Sequence, residues 1–488
     1  MTDMRPAVEH PGGKFFRQFW RVSFFQGINS ASAFLVNILV ARWIGPQAFG
    51  DFFVFVSTMT VATILFDFGL SRTVLRYAAF HQARGETVSK LQYYYATLKL
   101  KTLWGLGALG LAGLGAWIWG GALRVEYTLG FATGFVISYC QFLSSVAQTE
   151  DDYAAYNWVL SFNTLRLGLV IAVWLLGAMT LPRLYALFLV TPLLMAAIPA
   201  WRLLRELARA GKVPEEHFYA NLIGFGKWML VLVVLESLAQ RLDVYLVRWL
   251  TSAEAAGHYS GALTFFGAVT LLPTYTAYLI YPKFVEAVSR GERATLESQY
   301  RFSTDLTAVL AVPLGMGLWA VAPDLIRLFL GAGFAPSVPL FKYFAAYAVL
   351  WSCQVNSGAM FFAHDQPRTV VGIVLMILLA GAGTQLLLIP RFGLPGAGLA
   401  LATTSAVGLG LYWGFIRARF KLSPHFGHLG VYFLVGLAMA AVVRALPGGT
   451  WPWLLGKAAL GGVIYAGGLL GLQKWQGWQL VQWPKKSA

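Results

Sequence analysis

About fourteen times along this chain, roughly 20 consecutive residues are almost entirely apolar. A helix rises about 1.5 Å per residue, so such a run matches the hydrocarbon thickness of a bilayer. The runs lie near 22–43, 49–70, 98–119, 127–147, 158–178, 183–203, 222–249, 257–281, 303–323, 338–362, 369–389, 394–416, 429–446 and 452–473. They predict an all-α polytopic membrane protein. The connections between them are too short for a soluble domain, and none has the strict alternation of a barrel strand.

Composition agrees. The chain is 58% hydrophobic and only 12% charged, against roughly 25% charged in a soluble domain. The net charge of +16 would suggest nucleic acid as a partner of a soluble protein; here the position of the basic residues matters more than their sum. Cys140 and Cys353 both sit in apolar runs and read as small buried hydrophobes. The first run is too long for a signal-peptide core, and Gly45-Pro46 follows it where a small-residue cleavage site would be needed, so it reads as a first span.

Basic residues in short loops mark the cytoplasmic side. With the N-terminus inside, Lys and Arg favour the inner segments by about three to one. Both termini are therefore expected in the cytoplasm. One inner loop, 148–156, breaks the pattern with Glu150, Asp151 and Asp152 and no base.

The chain also repeats itself. Ala41-Arg42-Trp43-Ile44 closes the first run and Val247-Arg248-Trp249-Leu250 closes the seventh; Arg42 and Arg248 are 206 residues apart. A short turn then reaches Gly50-Asp51-Phe52 in one copy and Gly257-His258-Tyr259 in the other. Six spans per copy make the halves parallel repeats about an axis along the membrane normal. The expected architecture is two pseudo-symmetric six-helix lobes, 1–212 and 213–425, followed by two additional spans and a tail in 426–488.

Residues 37–79 carry a recognisable pattern: Ala41-Arg42-x-x-Gly45-Pro46-x-x-Phe49-Gly50, then Asp67-x-Gly69-Leu70. The second half has Leu242-Asp243-x-Tyr245-Leu246-Val247 and Gly257-x-Tyr259-Ser260. This resembles the polysaccharide flippases (Wzx type) of the multidrug/oligosaccharidyl-lipid/polysaccharide exporter superfamily. The resemblance implies a flippase, not an enzyme, that moves an undecaprenyl-pyrophosphate-linked oligosaccharide from the inner to the outer leaflet by alternating access, for surface polysaccharide assembly (O-antigen, capsule or exopolysaccharide). It further implies a polymerase and glycosyltransferases of the same pathway as partners, no cofactor, and coupling to a proton or sodium gradient as an option. A cation-coupled drug antiporter and a peptidoglycan lipid II flippase of the same superfamily are the nearest alternatives. An integral polymerase or ligase is disfavoured by the short external loops.

Ionisable residues within spans are the natural functional candidates, because a charge in hydrocarbon is expensive. Arg166, with Asn163 one turn earlier, offers a fork suited to pyrophosphate; the structural alternative is a bond to a neighbouring helix. Lys227, Gln240 and Arg241 extend the expected substrate cavity. Glu236, Gln240 and Asp243 share a helical face, and Glu236 and Asp243 are coupling candidates. Asp67 beside Arg72 reads as an inner gate or as a structural pair, and Asp305 as a further coupling residue; Gln354 and Asn356 are weaker candidates for the cavity. Arg42 and Arg248 read as side chains reaching for headgroups. Gly105-x-Gly107-x-x-Gly110 matches a dinucleotide fingerprint in letters only, since no strand precedes it. Gly410-x-x-x-Gly414 and Gly467-x-x-x-Gly471 read as helix-packing faces. The scattered histidines, with His425 and His428 placed in a cytoplasmic loop, offer no metal site.

Overall fold

The computed structural model describes residues 11–177, 179–210, 216–424 and 426–476. Among them the chain is helical throughout, without a strand. The helices are α1 (Pro11–Asp67), α2 (Leu70–Ala83), α3 (Thr87–Trp119), α4 (Arg124–Thr149), α5 (Tyr153–Leu160), α6 (Phe162–Leu175), α7 (Leu181–Ala210), α8 (Glu216–Leu250), α9 (Ala253–Val269), α10 (Leu271–Ser289), α11 (Arg293–Ala320), the single turn α12 (Ala322–Leu325), α13 (Phe341–Ala363), α14 (Pro367–Phe420), α15 (Phe426–Ala445) and α16 (Trp451–Gln476). Eight of the described helices are long and apolar enough to cross a membrane, or nine if the bent pair α5–α6 is one span.

Two of these are too long for one crossing. The apolar portions of α1 and α14 run 47 and 53 residues, more than double the roughly 20 that a bilayer needs. Each is broken by one glycine: Gly45, at φ 77° and ψ 171°, and Gly393, at φ 59° and ψ −133°. Those conformations exclude side chains, and Pro46 and Pro395 follow, where a new helix tolerates a missing N–H. The break between α5 and α6 at Ser161 is a 41° bend.

The helices form two compact units. One comprises Met1–Asn37 and Phe55–Ser237, the other Ile38–Val54 and Leu238–Ala488. The turn of α1 around Gly45 thus belongs to the second unit although the flanking helix belongs to the first.

In the first unit, α4 meets α1 through glycine: an ideal Cβ on Gly130 would lie 2.8 Å from Thr58 Cβ, and one on Gly134 2.5 Å from Ala62 Cβ. Lipid tails are as apolar as leucine, so such close backbone approach, rather than hydrophobicity, holds helices together. Gly105 likewise abuts the Phe135 ring, so the glycine-rich stretch of α3 is packing surface. The expected packing faces at Gly410, Gly414, Gly467 and Gly471 are not there: each faces open space. A GxxxG spacing permits close approach, but the neighbour decides whether it occurs.

In the second unit, α11 packs on α10, α13 and α15. The additional helices are fastened at two points, one on α15 and one on α16. His428 Nδ1 lies 3.2 Å from Asp305 Oδ2, so His428 is a helical residue with a partner rather than a loop residue. Lys457 Nζ lies 2.7 Å from Asp324 Oδ2.

The two copies of the repeated turn pack reciprocally in this unit. A Cβ on Gly50 would fall 1.9 Å from Ala253 O, and one on Gly257 1.8 Å from Pro46 O. Each copy lays its glycine on the other's backbone. Arg248 Nε donates to Asp51 Oδ1 at 2.6 Å, and Arg42 Nη1 to Leu328 O at 2.7 Å. These arginines bond protein, correcting the expectation that they serve headgroups. Gly50→Ala and Gly257→Ala are each expected to lower stability by about 1–3 kcal/mol through overpacking, read as a fall in the thermal midpoint of the purified protein.

Candidate functional site

Arg166 is only 3% exposed, on α6 just past the Ser161 break. That break leaves the first turn of α6 without preceding helical carbonyls, and polar side chains gather there. Arg166 Nη1 donates to Asn163 Oδ1 at 2.7 Å, Nε to Thr191 Oγ1 at 3.3 Å and Nη2 to Phe188 O at 3.3 Å. Its guanidinium carbon lies 3.8 Å from the Phe188 ring centroid. Asn163 N–H donates to Asn29 Oδ1 on α1 at 3.1 Å, and Ser32 Oγ meets Thr164 Oγ1 at 3.4 Å. The sequence-predicted pair Arg166–Asn163 is therefore real and joins α1, α6 and α7. Every one of these partners is neutral; among the described residues no carboxylate pairs with Arg166. A buried cation held by dipoles alone keeps an unneutralised charge, which an anion could neutralise.

Asp67 is differently placed. Its Oδ1 accepts from Lys101 Nζ at 2.8 Å and from Ser71 Oγ, and Lys101 also reaches Phe66 O at 3.3 Å. Arg72 is exposed and is not the partner expected for Asp67. The Asp-x-Gly-Leu pattern acquires a structural meaning. Phe68 and Gly69 adopt φ 51° and 68°, ending α1, and Asp67 ties that corner to α3. The apolar run beginning near 98 places Lys101 at the edge of a span; α3 in fact begins at Thr87, so Lys101 lies well inside the helix, its side chain 0% exposed. The acidic inner loop is explained similarly: Glu150 accepts from Lys90 Nζ at 2.6 Å and from Tyr94 OH at 3.0 Å.

In the second unit, Asp243 accepts from Tyr259 OH at 2.6 Å and from Val244 N–H at 2.8 Å. The two second-half motifs, Leu-Asp-x-Tyr and Gly-x-Tyr-Ser, thus meet through their Asp and second Tyr. Half-buried Arg241 has no partner for its Nε. Asp305, with His428, lies on α11, the helix whose Ser303 O and Thr307 Oγ1 accept from Asn356 Nδ2 at 2.9 and 2.7 Å. The remaining acceptors, Asn356 Oδ1 and Gln354 Oε1, have no partner. The side chains of Lys227, Glu236 and Gln240 lie outside the described residues. Among the described residues no three His, Cys, Asp or Glu side chains cluster to hold a metal.

Sequence reasoning missed Lys101, Asp51, His428, and the pair Asp324–Lys457. Each is a charge whose partner is remote in the chain, so only the observation that it is a charge was available in advance.

The described residues thus form a bundle of membrane-length helices with a buried arginine held by neutral groups. Residues 17–288, more than half of the chain, match the profile of the polysaccharide biosynthesis protein family, and the chain belongs to that family. It is 22% identical over 249 residues to the probable low-salt glycan biosynthesis flippase Agl15 of Haloferax volcanii, a match covering 50% of this chain and 52% of that one; the chain thus spans about half the length of the curated relative it matches. The fold is shared with solved structures. The lipid II flippase MurJ in an inward closed conformation superposes with a TM-score of 0.71 at 13% identity, covering 94% of this chain and 99% of that one. An inward-facing multidrug resistance transporter of the MATE family gives 0.67 at 14% identity, covering 80% and 94%.

Lys101→Met, which strands a buried Asp67, is expected to cost about 3–5 kcal/mol. The double variant Lys101→Met/Asp67→Asn should recover much of that loss, as measured by thermal or denaturant unfolding. A single variant as stable as the wild type would assign the pair no structural role.

Proposed function

We propose that this protein is a flippase that carries a lipid-linked oligosaccharide, on undecaprenyl pyrophosphate, from the cytoplasmic to the outer leaflet of a bacterial inner membrane for surface polysaccharide assembly. The observation that carries the reading is Arg166, buried on neutral partners. Sugar and pyrophosphate cannot cross hydrocarbon alone, because each unmade hydrogen bond costs several kcal/mol and each charge more. A protein that moves such a head group needs a cation that is not already neutralised by a carboxylate, and Arg166 meets that requirement. Asn163 orients its fork. Membership of the polysaccharide biosynthesis family supports a glycan as cargo, and the fold shared with a lipid II flippase supports lipid-linked cargo.

In this reading the protein works by alternating access, and the polyprenyl tail stays in lipid. Asp243 and Asp305 are the described carboxylates that could take up a proton or cation during the cycle; Glu236 is a further one by sequence. Arg241 faces its neighbours with an unsatisfied Nε and is a second contact for the anionic head group. Both termini lie in the cytoplasm, with a polymerase and glycosyltransferases of the pathway as partners. The drug-antiporter alternative calls for a dominant acidic site for cationic cargo, and the described buried aspartates Asp67, Asp243, Asp305 and Asp324 each already have a partner on at least one oxygen.

The test is flipping in proteoliposomes carrying a labelled undecaprenyl-pyrophosphate oligosaccharide, with sugar accessibility followed by an external probe. Wild type should flip, and Arg166→Ala should slow flipping at least about tenfold, the worth of one charge-assisted contact, while its thermal midpoint stays within a few degrees of wild type. Arg166→Lys should retain part of the rate. Wild-type protein that flips nothing yet exchanges a small organic cation for protons or sodium would replace this reading with the antiporter.

A further inference from the structure

At the end of the second unit that carries the 321–340 and 446–450 connections lies a cavity of about 290 Å³, lined by Ala320, Pro323, Asp324, Arg327, Arg444, Leu446, Gly448, Gly449 and Lys457. Its floor is built. Lys457, 5% exposed, donates to Asp324 Oδ2 at 2.7 Å, and Gly449 N–H donates to Asp324 Oδ1 at 2.7 Å. Both carboxylate oxygens are therefore engaged. The loop that delivers the N–H is pressed onto the carboxylate so closely that a Cβ on Gly448 would fall 2.2 Å from Asp324 Oδ1, and Gly449 adopts φ 96°. The lining carries three cationic side chains against this one occupied carboxylate.

The other two cations, Arg327 and Arg444, are exposed at the mouth, and among the described residues no carboxylate pairs with either. Arg327 reaches over the loop: its Nη1 lies 3.1 Å from where a Gly449 Cβ would be. The Arg444 guanidinium lies 5.3 Å from the Trp319 ring centroid. The positive end of α16, which starts at Trp451, adds to the field. Exposed Trp451 and Trp453 stand in the first turn of α16, and aromatic residues at helix ends commonly mark the headgroup level of a bilayer.

We propose that this cavity binds the phosphate of an anionic phospholipid, Arg327 and Arg444 gripping its oxygens as forks and Lys457 supplying the buried charge beneath them. Guanidinium suits this role because it presents paired donors to a phosphate and holds its charge at any physiological pH. A bound lipid would bridge α12 and the loop between α15 and α16, cementing the additional helices to the second unit from the lipid side. The site does not depend on which glycan the protein carries.

The test uses the purified full-length protein, delipidated and titrated with dioleoyl phosphatidylglycerol, with dioleoyl phosphatidylcholine, or with inorganic phosphate, lipid adducts being counted by native mass spectrometry. Wild type should hold phosphatidylglycerol about tenfold more tightly than phosphatidylcholine, the worth of two rim charges. Arg327→Ala/Arg444→Ala should abolish that preference. Arg417→Ala/Lys421→Ala, which removes the same charge from a separate cavity of about 460 Å³, should keep it, and millimolar inorganic phosphate should not compete. If the double variant folds poorly, Arg444→Gln alone, which retains the stem beside Trp319, should still lower the preference. An unchanged preference in the folded variants, an equal loss in the Arg417/Lys421 control, or displacement by inorganic phosphate would each overturn the lipid site.

Discussion

Hydrocarbon offers no hydrogen-bond partner and no screening, so a charged side chain within this protein must be answered by another part of the protein. The rest of the packing follows that demand. Lys101 on α3 answers Asp67 at the end of α1, Lys90 answers Glu150 at the end of α4, and Lys457 on α16 answers Asp324 on α12. Each pair joins residues at least 34 positions apart in the chain, and each would be costly to leave half made. Such pairs are directional where lipid-facing leucine contacts are not, so they fix which helices meet and in what register. Arg166 stands apart from them because its partners are all neutral, and the proposed contact with an anionic head group rests on that difference in charge balance.

Backbone contact does for the repeated turns what ion pairs do for the helices. Gly50 and Gly257 each lie on the other copy's carbonyl, an arrangement open only to residues without a side chain. Asp51 and Arg248 brace the same joint, and Asp243 with Tyr259 holds α8 to α9 beside it. The recurring letters of the two halves are thus the residues of one joint. The pattern that first suggested an exporter superfamily is a packing pattern, which is why it reports fold more directly than cargo.

The fold is shared by a lipid II flippase and by a multidrug resistance transporter. Fold therefore sets the mode of movement, and the charges inside set what is moved. Family membership and the buried arginine are the two observations on which the proposed cargo rests. The additional helices α15 and α16 are clamped at Asp305–His428 and at Asp324–Lys457, so they form part of the second unit rather than an appendage.

The sequence by itself determined the solvent, the helical class, the repeat and the helix breaks. Apolar runs of bilayer length admit only helices, and Gly45-Pro46 interrupts one wherever it folds. It also singled out Arg166 with Asn163, because residues three apart on one helix are neighbours before any tertiary structure forms. Only the tertiary structure decided the partners. Lys101 read as a base at the edge of a span, His428 as a loop histidine, and Asp67 as a neighbour of Arg72. The Gly130 and Gly134 contact went unremarked, while Gly410 and Gly467 were credited with packing they do not make. The reason is physical: hydropathy measures what it costs to take a residue from water, and that cost is local, whereas the group that offsets it sits on a helix tens or hundreds of residues away.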